Sequence, residues 1–206
     1  MIWISVLLRE DEKNALRTLA DMEYRKVVVR GALDPAQEVA IINQEYHGQV
    51  GAHIMTPLRI AGTDKVVLVD RGWIPAEDMA PEIWGAFSQP GIIEITGMIR
   101  KGEAKRGFGM LPTPTLSPGQ NRQTAWLFVN IDQLSQQMGI SLLPIYIQQT
   151  PDHSRVGLPY PTEPEFDLTE GPHQGYAIQW FTFAAIAILG TPLYINREEQ
   201  RQRRKK

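Results

Sequence analysis

His173 opens the part of this chain that could bind a metal-containing ligand. On a helix that starts at about this residue, Tyr176, Trp180 and two alanines share its face. An imidazole followed by two aromatic rings and small residues suits a flat, apolar macrocycle with a metal centre, because imidazole is the usual protein ligand of haem iron. The same residues also suit a plain interface anchor, since Tyr and Trp concentrate where a membrane meets water and small residues let helices pack closely. The residues alone leave both interpretations open for His173, Tyr176 and Trp180.

The other three histidines have weaker claims on chemistry. His47 and His53 lie six residues apart in EYHGQVGAH, a spacing that matches no common zinc motif, and we expect surface or turn positions for both. His153 stands between Asp152 and Ser154, but catalytic triads form from distant segments, so we do not expect a hydrolase. The chain has no cysteine, which excludes disulfides, thiolate zinc sites and thiol nucleophiles. Because phosphate-loop, GxSxG and HExxH motifs are also absent from the sequence, we predict a protein that is not an enzyme.

A compact motif, Arg71-Gly72-Trp73, follows the apolar run VLVD. Arg and Trp are favoured anchors in protein interfaces, so one interpretation is a partner surface at Arg71 and Trp73. The structural alternative is that Gly72 permits a bend, Trp73 fills a core and Arg71 pairs with a carboxylate.

Residues 176–195 carry no charge and run directly into REEQRQRRKK. About 20 apolar residues span a bilayer core, and a Lys/Arg-rich flank stays on the cytoplasmic side. We therefore predict a transmembrane helix over residues 172–195, a basic cytoplasmic tail over 196–206 and an extracytoplasmic domain over 24–171. The tail is interpreted as a topology signal and not as a nucleic-acid site. Residues 1–23 begin with the apolar MIWISVLL, which is too short to cross a bilayer, and we expect them to form a partial first membrane helix and its extension.

The central domain has the sequence pattern of a β protein. Runs rich in β-branched residues predict strands, and AGTD at residues 61–64 predicts a hairpin turn. The predicted strands cover residues 25–30, 52–60, 65–69, 91–100, 125–130 and 144–149. We expect Asp132 to cap a short helix that Gly139 ends, and residues 76–89 to form a helical or irregular insert. The pattern predicts a mainly β, mostly antiparallel barrel or sandwich with minor helices.

Five segments of the chain resemble the Surfeit-locus-1 family of cytochrome c oxidase assembly proteins, in its bacterial form. In chain order they are YRKVVVRG, GAHIMTPL, VLVDRGWIP, WLFVNID and GPHQGYAIQWFTFA, and the likeness covers residues 24 to about 194. The resemblance implies a multi-pass protein of the bacterial inner membrane. Its β domain would be periplasmic, between two membrane helices, and its C-terminus cytoplasmic.

The resemblance also implies a function and a ligand. Family members assist maturation of the haem–copper oxidase core subunit, and bacterial members are held to bind haem a. The histidine at the outer start of the second membrane helix, here His173, is the expected iron ligand. The implied partners are the oxidase core subunit and the lipid bilayer, with haem a synthase as a further candidate. The alternative is a scaffold that docks oxidase subunits through Arg71 and Trp73 without transferring haem.

Overall fold

The chain divides into two compact units, Met1–Pro164 and Glu165–Lys206. A computed structural model of the protein describes residues 2–7, 19, 21–102, 122–152, 157–163 and 173–204. The strands of the first unit are β1 (Ile2–Trp3), β2 (Lys26–Leu33), β3 (Val39–Tyr46), β4 (Gln49–Ile60), β5 (Val66–Pro75), β6 (Ile92–Lys101), β7 (Ala125–Trp126) and β8 (Leu142–Gln149). Its α-helices are α1 (Ile4–Leu7) and α2 (Ile131–Met138), and 3₁₀ helices cover Pro35–Gln37, Ala76–Asp78 and Pro81–Phe87.

Five strands close into a barrel in the order β2, β6, β8, β5, β4, and β4 pairs back onto β2. All of these pairs are antiparallel except β5–β8, which is parallel. Outside the barrel, β3 pairs with β4, β7 pairs with β3, and β1 pairs with β2. The mainly β class with minor helices is thus confirmed. Of the two predicted architectures the domain adopts the barrel, in which closure removes most exposed strand edges.

The barrel interior is filled by alternate residues of its five strands, as the two-residue side-chain period of a strand requires. Val67 and Val69 of β5 belong to this interior cluster, whereas Leu68 between them packs on the outside against α2. β5 is therefore covered on both faces, and every residue from Val66 to Ile74 is buried. The polar residues Asp70 and Arg71 of this strand must consequently find partners inside the protein.

Several elements differ from the prediction, and β5 continues to Pro75 although its predicted strand ended at residue 69. β3 was not predicted at all, because its apolar run is limited to the first four residues and its second half, NQEY, is polar. β7 stops at Trp126, well short of the predicted end at residue 130. The chain leaves the sheet there because Asn130 caps α2: its side chain accepts the amide of Gln133 at 3.0 Å. Asn130 and not Asp132 is thus the cap, while the predicted end at Gly139, with φ +64°, is confirmed.

The first residues differ from the membrane helix expected over residues 1–23. Ile2–Trp3 pair with β2 in parallel, and Ile4–Leu7 form a single helical turn. Ile4 is fully buried in the barrel core together with Leu19 and Met22. Apolar residues too few to cross a bilayer can still fill a barrel, so residues 2–7 belong to the domain.

The second unit contains one described helix, α3 (His173–Arg203). Its stretch Gly175–Arg203 is long and apolar enough to cross a membrane. At 1.5 Å per residue the whole helix is about 46 Å long, which exceeds the roughly 30 Å of a bilayer core. Part of the basic segment predicted as a separate tail therefore continues as helix, up to Arg203.

Candidate functional site

α3 carries the three residues that the sequence predicts to hold a ligand. His173 is the first residue of the helix, although its side chain lies outside the described part of the structure. Tyr176 and Trp180 expose 57% and 71% of their surfaces. The Trp180 ring meets Phe183 edge-on, with ring centroids 6.2 Å apart. Positions three and seven residues after His173 fall on its face of the helix, so the backbone groups these three residues as predicted.

The residue types on this helix face are compatible with a haem group. Tyr176 and Trp180 lie four residues apart and are therefore neighbours on the helix surface. The small residues Ala177 and Ala184 share the face and are exposed, so they leave the backbone open to a flat ring. His173 supplies the imidazole that most often ligates haem iron in proteins. The residue types present thus fit a haem group with His173 as ligand and Tyr176 and Trp180 beside the ring.

The second candidate region is the end of β5. The β4–β5 ladder is irregular here. His53 pairs with Trp73 and Met55 pairs with Asp70, so the two β5 residues between Asp70 and Trp73 form a bulge. Gly72 has φ +121°, a conformation that favours glycine. A Cβ atom on Gly72 would also overlap the backbone of residues 160–161. A bulge re-aims the side chains around it, so Arg71 and Asp70 reach different partners.

Arg71 forms a buried ion pair with Glu38, which lies just before β3. The side chains expose only 1% and 3% of their surfaces, and Nη1 of Arg71 lies 2.6 Å from Oε1 of Glu38. The same carboxylate oxygen accepts the hydroxyl of Thr56 on β4 at 2.7 Å. Arg71 Nη2 donates to the carbonyl of Phe87, the last residue of a 3₁₀ helix. The guanidinium therefore joins β5 directly to two other segments of the domain, and Glu38 extends the network to β4.

Burial governs the electrostatics of this network. Burial raises the pKa of Glu38, although the hydrogen bond from Thr56 and the charge of Arg71 act against the rise. Burial likewise lowers the pKa of Arg71, and the charge of Glu38 opposes that shift. A second guanidinium, that of Arg122, donates to the backbone carbonyls of Ala36 and Glu38. Because each charge in the pair depends on the other, removing one would leave an uncompensated buried charge.

Trp73 is also part of the interior. Its side chain is 3% exposed, and its indole nitrogen donates to the carbonyl of Gln44 at 3.3 Å. Its backbone pairs in both directions with Tyr160 at 2.8 Å. Since Arg71 and Trp73 are both buried, they offer no surface to a partner, and that prediction is corrected. The structural alternative describes both residues: Trp73 fills a core and Arg71 pairs with a carboxylate.

His53 is not the surface residue that its sequence context suggests. Its Nδ1 lies 2.8 Å from Oδ2 of Asp70, and the two side chains are only 13% and 8% exposed. Asp70 Oδ1 also accepts the amide of Gly72 at 3.0 Å, which fixes the carboxylate at the bulge. Burial alone would lower the pKa of His53, but the charge and hydrogen bond of Asp70 outweigh it and raise that pKa. Sequence reasoning missed this pair, although the hairpin register that pairs Met55 with Asp70 places His53 one pleat away.

The His53–Asp70 pair lines a cleft of about 140 Å³. The remaining lining residues come from β3, β4, β8 and the segment after β7: Ile41, Gln44, Met55, Leu127, Phe128, Val129 and Tyr146. A histidine held by a carboxylate can take up and release a proton near neutral pH. Within the described ranges, no group of three His, Cys, Asp or Glu side chains could hold a metal ion. The cleft therefore has the chemistry of a proton-binding pair.

The two remaining histidines do not join either region. His47 is exposed in the turn between β3 and β4, with φ +50°, which confirms the predicted turn position. Its ring lies 4.2 Å from that of Tyr46. His153 lies outside the described residues.

Known proteins provide an independent comparison. The SURF1 family profile matches residues 5–185, starting upstream of Tyr24, where the resemblance seen in the sequence begins. A SURF1-like protein of Monosiga brevicollis is 28% identical over 181 residues, which are 82% of this chain and 66% of that protein. The SURF1-like protein of Drosophila melanogaster is 28% identical over 189 residues, 82% of this chain and 58% of its own length. Surfeit locus protein 1 of Mus musculus is 25% identical over 181 residues, 81% of this chain and 56% of its own.

This chain spans about half to two thirds of the length of the curated relatives that it matches. The family profile nevertheless covers most of the chain, from α1 of the barrel domain into the first half of α3. The match therefore includes both candidate regions, the buried network at the end of β5 and the ligand face of α3. The chain belongs to the SURF1 family.

Proposed function

We propose that this protein is a membrane-anchored assembly factor for haem–copper cytochrome c oxidase, which binds haem a and assists its insertion into the core subunit. The observation that carries the proposal is membership of the SURF1 family over a region that includes the start of α3. The proposed location is the bacterial inner membrane, with α3 as the anchor, a periplasmic domain and a cytoplasmic C-terminus. The proposed partners are the core subunit and the lipid bilayer, with haem a synthase as a further candidate. The role is non-enzymatic.

His173, Tyr176 and Trp180 are the residues that we propose to hold the haem. His173 ligates the iron, and the exposed rings of Tyr176 and Trp180 cover one side of the macrocycle. When bound, haem a supplies an iron that can change its oxidation state. His173 is the one iron ligand that these residues would provide, and this would suit a protein that must release its cargo. The small residues on the same face leave the ring accessible to a partner.

An absorption spectrum tests this assignment directly. The full chain is co-expressed with a haem a pathway, purified in detergent and compared with His173→Ala. Two matched controls are Ile178→Ala, a 65% exposed residue on the opposite face of α3, and His47→Ala, an exposed histidine of the barrel unit. We expect the haem a spectrum in wild type and both controls, and its loss in His173→Ala. A wild-type protein without haem a, or an unchanged spectrum in His173→Ala, would refute the assignment.

The proposed orientation is tested with thiol labelling, because the chain contains no cysteine. Single variants Val50→Cys in the barrel and Gln202→Cys near the C-terminus are treated with a membrane-impermeant maleimide in spheroplasts. We expect Val50→Cys to react in intact spheroplasts and Gln202→Cys only after permeabilisation. The opposite labelling pattern would show that the topology is the reverse of the one proposed.

The docking-scaffold alternative is not proposed. Its expected surface was Arg71 and Trp73, and both side chains are buried in the barrel unit. The haem spectrum separates the two functions as well, since a scaffold without haem transfer would give no difference between wild type and His173→Ala.

A further inference from the structure

An exposed aromatic pair with basic neighbours lies at the start of β2. Trp3 and Tyr24 expose 40% and 47% of their surfaces. The two residues that follow Tyr24 are basic and exposed, and β6 ends beside them with two more basic residues. We call this region the Trp3–Tyr24 surface, and it consists of Trp3, Tyr24, Arg25, Lys26, Arg100 and Lys101.

Strand pairing places these residues at the same end of the sheet. Trp3 of β1 pairs with Val28 of β2, two residues beyond Lys26. On the other side of β2, the amide of Tyr24 donates to the carbonyl of Ile99 at 2.8 Å. The guanidinium of Arg100 lies 5.0 Å from the centroid of the Tyr24 ring, within the range of a cation–π contact. Three adjacent strands thus place two aromatic residues and four cationic ones at one end of the sheet, where Arg100 contacts Tyr24.

The charge of this surface differs from that of the chain as a whole. Its four basic residues face two nearby acidic ones, Asp21 and Glu23, and Glu23 is paired with Lys101 at 3.6 Å. The chain carries a formal net charge of −2, so a locally positive region is set in an acidic protein. The exposed apolar residue Val50, by contrast, pairs with the acidic Glu45 on the adjacent strand. Exposed aromatic rings and positive charge therefore coincide at the Trp3–Tyr24 surface.

We propose that the Trp3–Tyr24 surface rests on the headgroup region of a bilayer that contains anionic phospholipids. Trp and Tyr are enriched at the membrane–water boundary, where one part of the ring is apolar and another part is wet. Lys and Arg next to such rings are attracted to anionic headgroups, by about fivefold in binding for each charge. The inference rests on the proposed function in one respect, which is that α3 crosses a membrane.

Hydrogen bonds link the Trp3–Tyr24 surface to the segment that precedes the proposed anchor in the sequence. Arg100 donates to the side-chain oxygen of Gln148 at 2.9 Å, and the Gln148 amide lies 3.4 Å from the hydroxyl of Thr162. The described part of the barrel unit ends one residue later, at Glu163. α3 begins ten residues further on, and ten residues span at most about 36 Å. The described barrel unit thus ends near Arg100 and ten residues before α3 in the sequence.

Site-specific fluorescence in nanodiscs tests the proposal on the full chain. Single cysteines replace Tyr24, Val50 or Leu189, and each thiol carries an environment-sensitive nitrobenzoxadiazole dye. Discs contain phosphatidylcholine alone or with about one third phosphatidylglycerol, and a lipid with a nitroxide near its headgroup quenches dyes that reach the bilayer. We expect strong quenching at Leu189 in both lipids, quenching at Tyr24 only with phosphatidylglycerol, and little at Val50.

Charge variants on the Tyr24→Cys background make the test specific. Lys26→Gln should lower the ratio of membrane-bound to free domain about fivefold, and the matched Arg59→Gln, at an exposed cation paired with Asp34, should not. If the Leu189 dye is quenched but the Tyr24 dye responds no more than the Val50 dye, the surface does not touch lipid, although the anchor stands. If the Leu189 dye is not quenched, the anchor itself is wrong and the inference fails with it. If quenching of the Tyr24 dye is independent of phosphatidylglycerol and unchanged by Lys26→Gln, the anionic-lipid assignment is refuted.

Discussion

The buried pair of Arg71 and Glu38 makes a strong prediction about stability. Replacing Arg71 by Met keeps an apolar stem of similar length but removes the charge that faces Glu38 at 2.6 Å. At an effective dielectric constant of about 20, two charges roughly 4 Å apart attract by about 4 kcal/mol, and breaking buried pairs costs about 3–5 kcal/mol in measured cases. Both side chains are at least 97% buried, so solvent screening does not reduce this figure greatly. We expect Arg71→Met to lower the free energy of unfolding by about 3–5 kcal/mol.

A double-mutant cycle separates the pair from the packing around it. Glu38→Gln retains an acceptor for the Thr56 hydroxyl, which bonds the same carboxylate oxygen, but leaves Arg71 without its counter-charge. The double variant Glu38→Gln/Arg71→Met contains neither charge, so we expect it to be more stable than the sum of the two single losses by at least about 2 kcal/mol. Urea unfolding in detergent, followed by fluorescence of the buried tryptophans, provides the free energies. The exposed pair is the control: Arg59→Met should change stability by less than about 0.5 kcal/mol.

The pH dependence of the same variant gives a second test. Arg71 acts to lower the pKa of Glu38, whose pKa burial raises, so Arg71→Met should raise that pKa further. A carboxyl whose pKa is higher in the folded than in the unfolded state stabilises the fold as pH falls through the folded pKa. The loss of unfolding free energy caused by Arg71→Met should therefore become smaller as the pH falls. A deficit that is independent of pH, together with additive single-variant losses, would show that the pair is not electrostatically coupled.

Three further predictions concern the barrel unit. The pKa of His53 is raised, since Asp70 outweighs the effect of burial. The stability that protonated His53 contributes is complete below the unfolded pKa and is lost as pH rises through the folded pKa. Asp70→Asn should therefore abolish this loss and lower the His53 pKa measured by NMR. Gly72→Ala should cost more than about 4 kcal/mol or prevent folding because it overlaps backbone, whereas Gly62→Ala, which has open space at φ +77°, should cost about 1–2 kcal/mol in urea unfolding. Asn130→Ala should cost about 1 kcal/mol through loss of the α2 cap, and Asn130→Ser should recover most of it.

The sequence predicts those strands that are apolar over most of their length. β5 is covered on both faces, and its first four residues form the apolar run that was predicted as a strand, whereas its second half was not predicted. The hairpin turn at residues 61–64 fixes its register with β4. β3 escaped because only its first half is apolar, and its pairing with β4 and β7 is a long-range event. Closure of the sheet also depends on contacts between distant segments, since the β2–β4 pairing that completes the barrel joins strands separated by β3. Local patterns therefore predict the β class but not the choice between barrel and sandwich.

The candidate sites divide in the same way. The ligand face of α3 follows from helical periodicity alone, so His173, Tyr176 and Trp180 could be grouped without tertiary information. Arg71 looked like a surface anchor because nothing local in the sequence reveals that Glu38, 33 residues earlier, lies beside it. His53 looked exposed for a similar reason, since its partner Asp70 lies across a hairpin and a bulge shifts the register between them. A buried polar residue is recognised only with its partner, and sequence spacing does not reveal these partners.

This distinction decides how a loss of function should be interpreted in the protein. An Arg71 variant that loses about 3–5 kcal/mol consumes a large part of the roughly 5–15 kcal/mol that stabilises a typical domain, so the amount of folded protein falls with it. A lower haem content in such a variant would therefore report folding and not coordination. His173 lies at the start of a helix in the other compact unit, and we expect His173→Ala to leave the urea transition of the barrel unchanged. Only a loss of haem a at an unchanged free energy of unfolding assigns a residue to the ligand site, and an Arg71→Met variant that met this criterion would overturn the structural role given to Arg71.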